Sequence, residues 1–257
     1  MTDKMSFGWT KYTKKMMFIG IMLASLAAGG SLIGFNLSHP SSVTRSRTAP
    51  AQPNSVPAIP TTLVAALVVK TSAFLFPGGP AAVPIAASWH GSPLHLPIIA
   101  SDHGYLEVRL PSRPNGSTTW IRQNAVHLYA TTYRIRIDLR TQHLLLYHAN
   151  KLILDAPAGI GTVADPTPTG HFFVAFFAKA PSPAWGPFVL VTSAHSNTIS
   201  DWEESGDAMV AIHGPLGADA KIGSTGARVS HGCVRLHDAD LALLREVPDG
   251  SPIDIVG

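Results

Sequence analysis

Cys233 is the single cysteine of this 257-residue chain, standing in the stretch VSHGCVRL behind Ser230, His231 and Gly232 and two positions before Arg235. A thiol becomes a nucleophile at neutral pH when a nearby base or positive charge favours its thiolate. Two histidines could supply that base. His231 lies two residues before the thiol, a spacing expected to point the two side chains apart in a tight turn. His213 ends the apolar run AMVAIH and precedes Gly214-Pro215, so a strand-end imidazole could reach across to a thiol in a loop. Gly232 removes a side chain beside the nucleophile. That lets a substrate carbonyl approach and frees the N–H groups of Gly232 and Cys233 to bind an oxyanion. Arg235 offers a planar fork for a substrate carboxylate. Residues of these types describe acyl transfer through a thioester.

Each has a plainer reading. A lone Cys also serves as a small buried apolar residue, and a strand-end His can be a core histidine satisfied by backbone. Arg235 could brace its own loop against Asp238 or Asp240. Zinc is a rival because the chain has 12 His. Neither HExxH nor CxxC is present, however, and one Cys with scattered His is a poor ligand set. No metal and no cofactor are expected.

Compartment changes what a thiol means. The chain is 46% hydrophobic and 14% charged, and part of that excess is local: no Asp, Glu, Lys or Arg occurs from Met16 to Thr44. Met16 to Phe35 would span ~30 Å as a helix, the thickness of a bilayer core. Lys4, Lys11, Lys14 and Lys15 precede it, so the N-terminus is expected in the cytoplasm and the remainder outside. A cleaved signal peptide is the competing reading, with Leu26-Ala27-Ala28-Gly29 as its cleavage region. The length of the apolar segment favours an uncleaved anchor. A lipoprotein is excluded, since no Cys lies nearby to be lipidated. Outside the cytoplasm an unpaired thiol must be intermolecular, buried or reactive. The formal net charge of +3 suits an anionic cell envelope; no nucleic-acid partner is expected.

Five divisions follow. Residues 1–15 are a basic cytoplasmic tail and 16–38 the anchor or signal. Residues 39–62 hold five prolines among Ser and Thr and read as an extended, disordered spacer. Residues 63–130 read as a small β domain: GYLEVRL alternates with period two, Pro114-Asn115-Gly116-Ser117 is a turn, and TTWIR resumes a strand. Residues 131–257 are a second β-rich unit with strands at YRIRIDLR, HLLLYH, KLILDAPAGI and HFFVAFF and a closing strand at PIDIVG. DADLALLREV is its one helix, with Asp238 as N-cap and Leu241 and Leu244 on the buried face. No βαβ alternation occurs, which excludes a doubly wound fold. A lid over the site is expected within 179–206.

His213, sixteen intervening residues, and then Ser230-His231-Gly232-Cys233 resembles the signature of the L,D-transpeptidase catalytic domain of the YkuD type. Thr167-Pro168-Thr169-Gly170 is similar to that family's approach to its site, and the likeness covers roughly 132–257. Many members carry Asn where this chain has Arg235. The resemblance implies a mainly β fold, a β-sandwich-like catalytic domain with one or two helices, and no metal or cofactor. It further implies a Cys233 nucleophile, a His213 base oriented by the Gly214 carbonyl, and a loop shaped by Ser230 and His231. The implied reaction is attack on the third residue of a peptidoglycan stem tetrapeptide, release of D-alanine, and transfer to a neighbouring stem amine as a 3→3 cross-link. Carbapenems form thioester adducts with the family. A monomer is expected, anchored in the membrane of the cell envelope, with stem peptides as donor and acceptor. L,D-carboxypeptidase activity, in which water takes the acyl group, and a non-catalytic wall-binding anchor stay open as alternatives. Cys–His endopeptidases usually place Cys before His, the reverse of the order here.

Overall fold

The computed structural model describes residues 61–257. The tail, the apolar segment and the spacer up to residue 60 lie outside the described residues. No described helix is long and apolar enough to cross a membrane. The spacer ends sooner than expected, because Thr62 already opens a strand.

The first half is built of β1 (Thr62–Leu67), β2 (Thr71–Phe74), β3 (Ala81–Ile85), β4 (Ser88–Trp89), β5 (Ser92–Pro93), β6 (His95–Asp102), β7 (Tyr105–Arg109), β8 (Thr118–Arg122) and β9 (Val126–Thr131). Seven of these form one sheet in the order β3-β2-β8-β7-β6-β1-β9, with β4 and β5 as a separate ribbon. The period-two reading of GYLEVRL holds for Leu106 and Val108, which are buried. Tyr105 departs from it. Its ring packs edge-on against Phe74 at 5.2 Å and lies under the Arg122 guanidinium, so the face expected to be wet is covered there.

The second half contains β10 (Tyr133–Asp138), β11 (His143–His148), β12 (Lys151–Pro157), β13 (Gly159–Gly161), β14 (Gly170–Ala178), β15 (Val189–His195), β16 (Met209–His213), β17 (Ala227–Ser230), β18 (Val234–Arg235) and β19 (Pro252–Val256). They form one sheet in the order β12-β11-β10-β19-β14-β15-β16-β18-β13-β17. The closing strand β19 is inserted at its centre, parallel to β10 and antiparallel to β14. Two short helices accompany it, α1 (Asp219–Ile222) and α2 (Asp238–Leu243), the latter continued by a 3-10 turn at Leu244–Glu246. Helix α1 was not expected from the sequence. Asp238 is the first residue of α2 rather than its N-cap, which is His237 and makes no side-chain capping bond. Leu241 and Leu244 are fully buried, as their spacing predicts.

Strands β14, β15 and β16 are covered on both faces, which explains their near-continuous apolar sequences. Phe172, Val174, Leu190, Val210 and Ile212 point into a core shared with Ile135, Ile137, Leu144, Leu146 and α2. Their alternates Phe173, Ala175, Phe176, Val189, Val191 and Ala211 point the other way. That second core is shared with Ala65, Leu96, Leu106, Val108 and Ile121 of the first sheet. The two sheets are therefore not separate apolar units.

Candidate active site

Strands β16 and β18 run parallel, with Ile212 opposite Val234 and His213 opposite Arg235. Paired residues on adjacent strands share a face, and so do alternate residues along a strand. His213, Arg235 and Cys233 are thereby brought to one side of the sheet although sixteen residues separate the histidine from the SHGC turn. The turn joins β17 to β18, which flank β13 on either side.

His213 is buried, and its Nδ1–H donates to the Gly214 carbonyl at 2.8 Å, so a neutral ring presents Nε2 as the basic nitrogen. Trp185, from the 3-10 turn Pro183–Trp185, covers the ring at 4.4 Å between centroids. Burial pushes His213 down to about 4, against the Gly214 bond that raises it and with the nearby Arg235 charge that lowers it further. Gly214 has no room for a side chain: a Cβ would stand 2.6 Å from Gly186 N and 2.7 Å from Asp238 Oδ1.

Cys233 is half-buried against the second core. Its Sγ accepts the Ala211 N–H at 3.4 Å, while His213 stands further along the same face. Burial pushes the thiol up, opposed by the Ala211 N–H and by Arg235. Both groups are thus neutral at rest, not a preformed thiolate–imidazolium pair.

The turn is held from within. Ser230 Oγ donates to the Cys233 carbonyl at 2.5 Å and accepts the Gly232 N–H at 3.2 Å. That corrects one expectation: the Gly232 N–H is committed to Ser230 and is not aimed at an oxyanion. Gly232 is also needed for a different reason than the one read from sequence. A Cβ there would meet nothing nearer than 3.7 Å, but its φ of +116° is a conformation only glycine adopts without strain. Thr167, from the TPTG stretch, is buried and bridges Gly161 N (2.9 Å) to the Gly232 carbonyl (2.8 Å).

Arg235 reaches the Pro215 carbonyl through Nη1 at 3.5 Å, while its Nε is buried without a hydrogen-bond partner. Asp238, considered as its brace, places Oδ1 against the Gly214–Gly186 contact instead. His231 is engaged by other partners than the thiol. It is exposed, bonded to Asp165 at 2.7 Å and packed on Trp202 at 5.3 Å. Asp165 was not singled out from the sequence as a site residue, nor were Trp185 and Trp202; nothing local to them signals which histidine they meet. The lid expected within 179–206 is corrected in its middle. Residues Val189–His195 are the buried strand β15, and only the flanking segments with Trp185 and Trp202 border the site. Among the described residues, no group of three or more His, Cys, Asp or Glu is arranged to hold a metal ion.

A buried imidazole and a lone thiol on one face of a β-sheet, the thiol in a glycine-strained turn, define a thiol–imidazole site. Residues 132–255 match the family model of the L,D-transpeptidase catalytic domain, YkuD. The curated YkuD protein of Bacillus licheniformis is 32% identical over 124 residues, 48% of this chain and 65% of that protein. That of Bacillus subtilis is 27% identical over 128 residues, 49% of this chain and 68% of that protein. The match to the first thus spans less than two thirds of its length. Among solved structures, an L,D-transpeptidase from Mycobacterium smegmatis is 18% identical with a TM-score of 0.38, covering 63% of this chain and 82% of that one. The catalytic domain of the Enterococcus faecium L,D-transpeptidase is 22% identical with a TM-score of 0.33, covering 48% and 95%.

Proposed function

We propose that the protein is a cysteine-dependent peptidoglycan L,D-transpeptidase acting outside the cytoplasm, tethered through its N-terminal apolar segment. The observation that carries this reading is the parallel register that sets His213 opposite Arg235 and brings Cys233 to the same face, within the residues that match the transpeptidase family model. The sequence of steps follows from the resting charges. His213 Nε2 takes the thiol proton as Sγ attacks the carbonyl of the third stem residue, and the Cys233 N–H faces the developing oxyanion. The tetrahedral adduct collapses, the C–N bond to D-alanine breaks, and the imidazolium returns its proton to the departing amine. A stem amine then attacks the thioester, loses a proton to His213, and leaves a new amide and the free thiol. Arg235, with Nε buried and unpaired, is the group suited to a substrate carboxylate. The test is incubation of the purified chain with a disaccharide tetrapeptide, followed by mass spectrometry. D-alanine and a cross-linked dimer are expected from the native chain and neither from Cys233→Ala. Release of D-alanine without dimer would assign an L,D-carboxypeptidase, and absence of both would end the catalytic reading.

A further inference from the structure

The turn between β7 and β8 belongs to the first sheet, yet its side chains bond to the second. Arg113 donates through Nη1 to the Ser196 carbonyl at 2.6 Å, through Nη2 to the Ile199 carbonyl at 3.0 Å and through Nε to Asp207 at 3.1 Å. Asn115 pairs with the His195 main chain in both directions, donating to its carbonyl at 2.8 Å and accepting its N–H at 2.9 Å. These bonds hold segment 196–207 at its start and at its end. Ser196 and His195 are buried, so water cannot readily replace the bonds if they are lost. Asp207, for its part, is bound by His195 at 2.9 Å.

The held segment in turn touches the catalytic turn. Thr198 Oγ1 donates to Asp165 Oδ1 at 3.1 Å, and the other Asp165 oxygen accepts from His231 Nδ1 at 2.7 Å. Trp202, near the far end of the segment, packs on the His231 ring at 5.3 Å. His231 lies two residues before Cys233. A contiguous set of bonds therefore runs from the first sheet to the residues that carry the thiol.

We propose that the first sheet is a positioning element of the active site, with Arg113 and Asn115 as positioning residues that hold segment 196–207. Through Thr198 and Trp202 that segment fixes the Asp165–His231 pair, and with it the turn that presents Cys233. The kinetic part of the inference rests on the transpeptidase reading; the structural part does not. Arg suits the post because its planar fork meets two carbonyls and a carboxylate at once, which Lys cannot do.

The test compares the native full chain with Arg113→Ala, Arg113→Lys, Asp165→Asn and the Arg113→Ala/Asp165→Asn double variant. Amide hydrogen exchange, which needs no activity, is the first readout. Arg113→Ala should speed exchange about tenfold in 196–207 and also in 229–233, with β10 and β19 unchanged. Faster exchange confined to 196–207, or spread equally over β10 and β19, overturns the proposal. Turnover of the stem tetrapeptide is the second readout. Arg113→Ala should lose about tenfold, chiefly in kcat, with only partial recovery in Arg113→Lys. The double variant should be no worse than the poorer single one, because both changes break the same connection. Additive losses overturn the proposal. Should the native chain not turn over the peptide, the transpeptidase reading fails and the exchange result still decides. Should Arg113→Ala not fold, Thr198→Val cuts the connection at its far end and is judged by faster exchange in 229–233 alone.

Discussion

His213 shows how burial sets a resting protonation state. With its titration pushed down to about 4 by desolvation, the ring is neutral through the whole range from mildly acid to alkaline pH. Burial pushes the thiol up as well, so it too is neutral near pH 7. In the proposed reaction proton transfer accompanies attack, and the pH dependence follows in sign. As pH falls through about 4 the ring gains a proton, the base is lost, and kcat/KM should fall with it. No decline is expected at the pH where an ordinary histidine titrates. A pH profile of kcat/KM with its acid midpoint at an ordinary histidine value would show that His213 is not the base, or that Trp185 does not keep water from it. His213→Ala should also slow iodoacetamide alkylation of Cys233 at neutral pH, because a neutral thiol then has no acceptor for its proton.

The element that matters most is the pair β16 and β18, only five and two residues long. Parallel pairing turns two distant motifs into neighbours, and its register decides which side chains share a face. Arg235 is placed there with Nε buried and unpaired, and that orphaned donor separates the two readings of this residue. If it waits for a substrate carboxylate, Arg235→Ala should reduce kcat/KM by about ten- to a hundredfold with little change in melting temperature. Arg235→Lys should recover only part of that, since the charge is kept and the fork is lost. Equal losses of stability and activity in both variants would assign it to bracing its loop through Pro215.

At the scale of the whole molecule, the second sheet depends on the first for one of its faces. Phe173, Phe176, Val189 and Val191 are buried there, each contributing roughly 1.5–3 kcal/mol of transfer free energy. A chain beginning at residue 132 would expose them as a contiguous apolar patch. It should melt more than about 10 °C below a chain beginning at residue 61, and bind a hydrophobic dye that the longer one does not. Equal melting temperatures would mean that the shared core contributes little. Asp249 gives a second prediction, in pH. Its backbone carbonyl accepts the Tyr129 hydroxyl of the first sheet, and burial lifts its carboxyl from 3.8 to about 6. The folded state then binds more protons than the unfolded state between those values, so ionisation costs stability as pH rises and the cost is complete above about 6. Asp249→Asn should raise stability by about 1–2 kcal/mol at pH 7.5, after allowance for partial solvent exposure. That gain should vanish below pH 3.8, and thermal melts at the two pH values check it.

The SHGC motif, most strands and the buried face of α2 were legible in the sequence because each is a local pattern. Period-two alternation marks β7, the TPTG and SHGC stretches are contiguous, and Leu241 and Leu244 fall on one helical face. The sequence by itself therefore determined a mainly β chain and the residue types available for thiol chemistry. Tertiary structure alone decided what those residues do at rest. Whether the Gly232 N–H faces solvent or Ser230, whether 189–195 is lid or core, and which loop meets His231 depend on partners far away in the chain. The desolvation of His213 depends on Trp185 folding over it, and the placement of His231 depends on Arg113, 118 residues earlier. Hydrogen-bond commitment and burial are properties of surroundings, and no local pattern of residues encodes them.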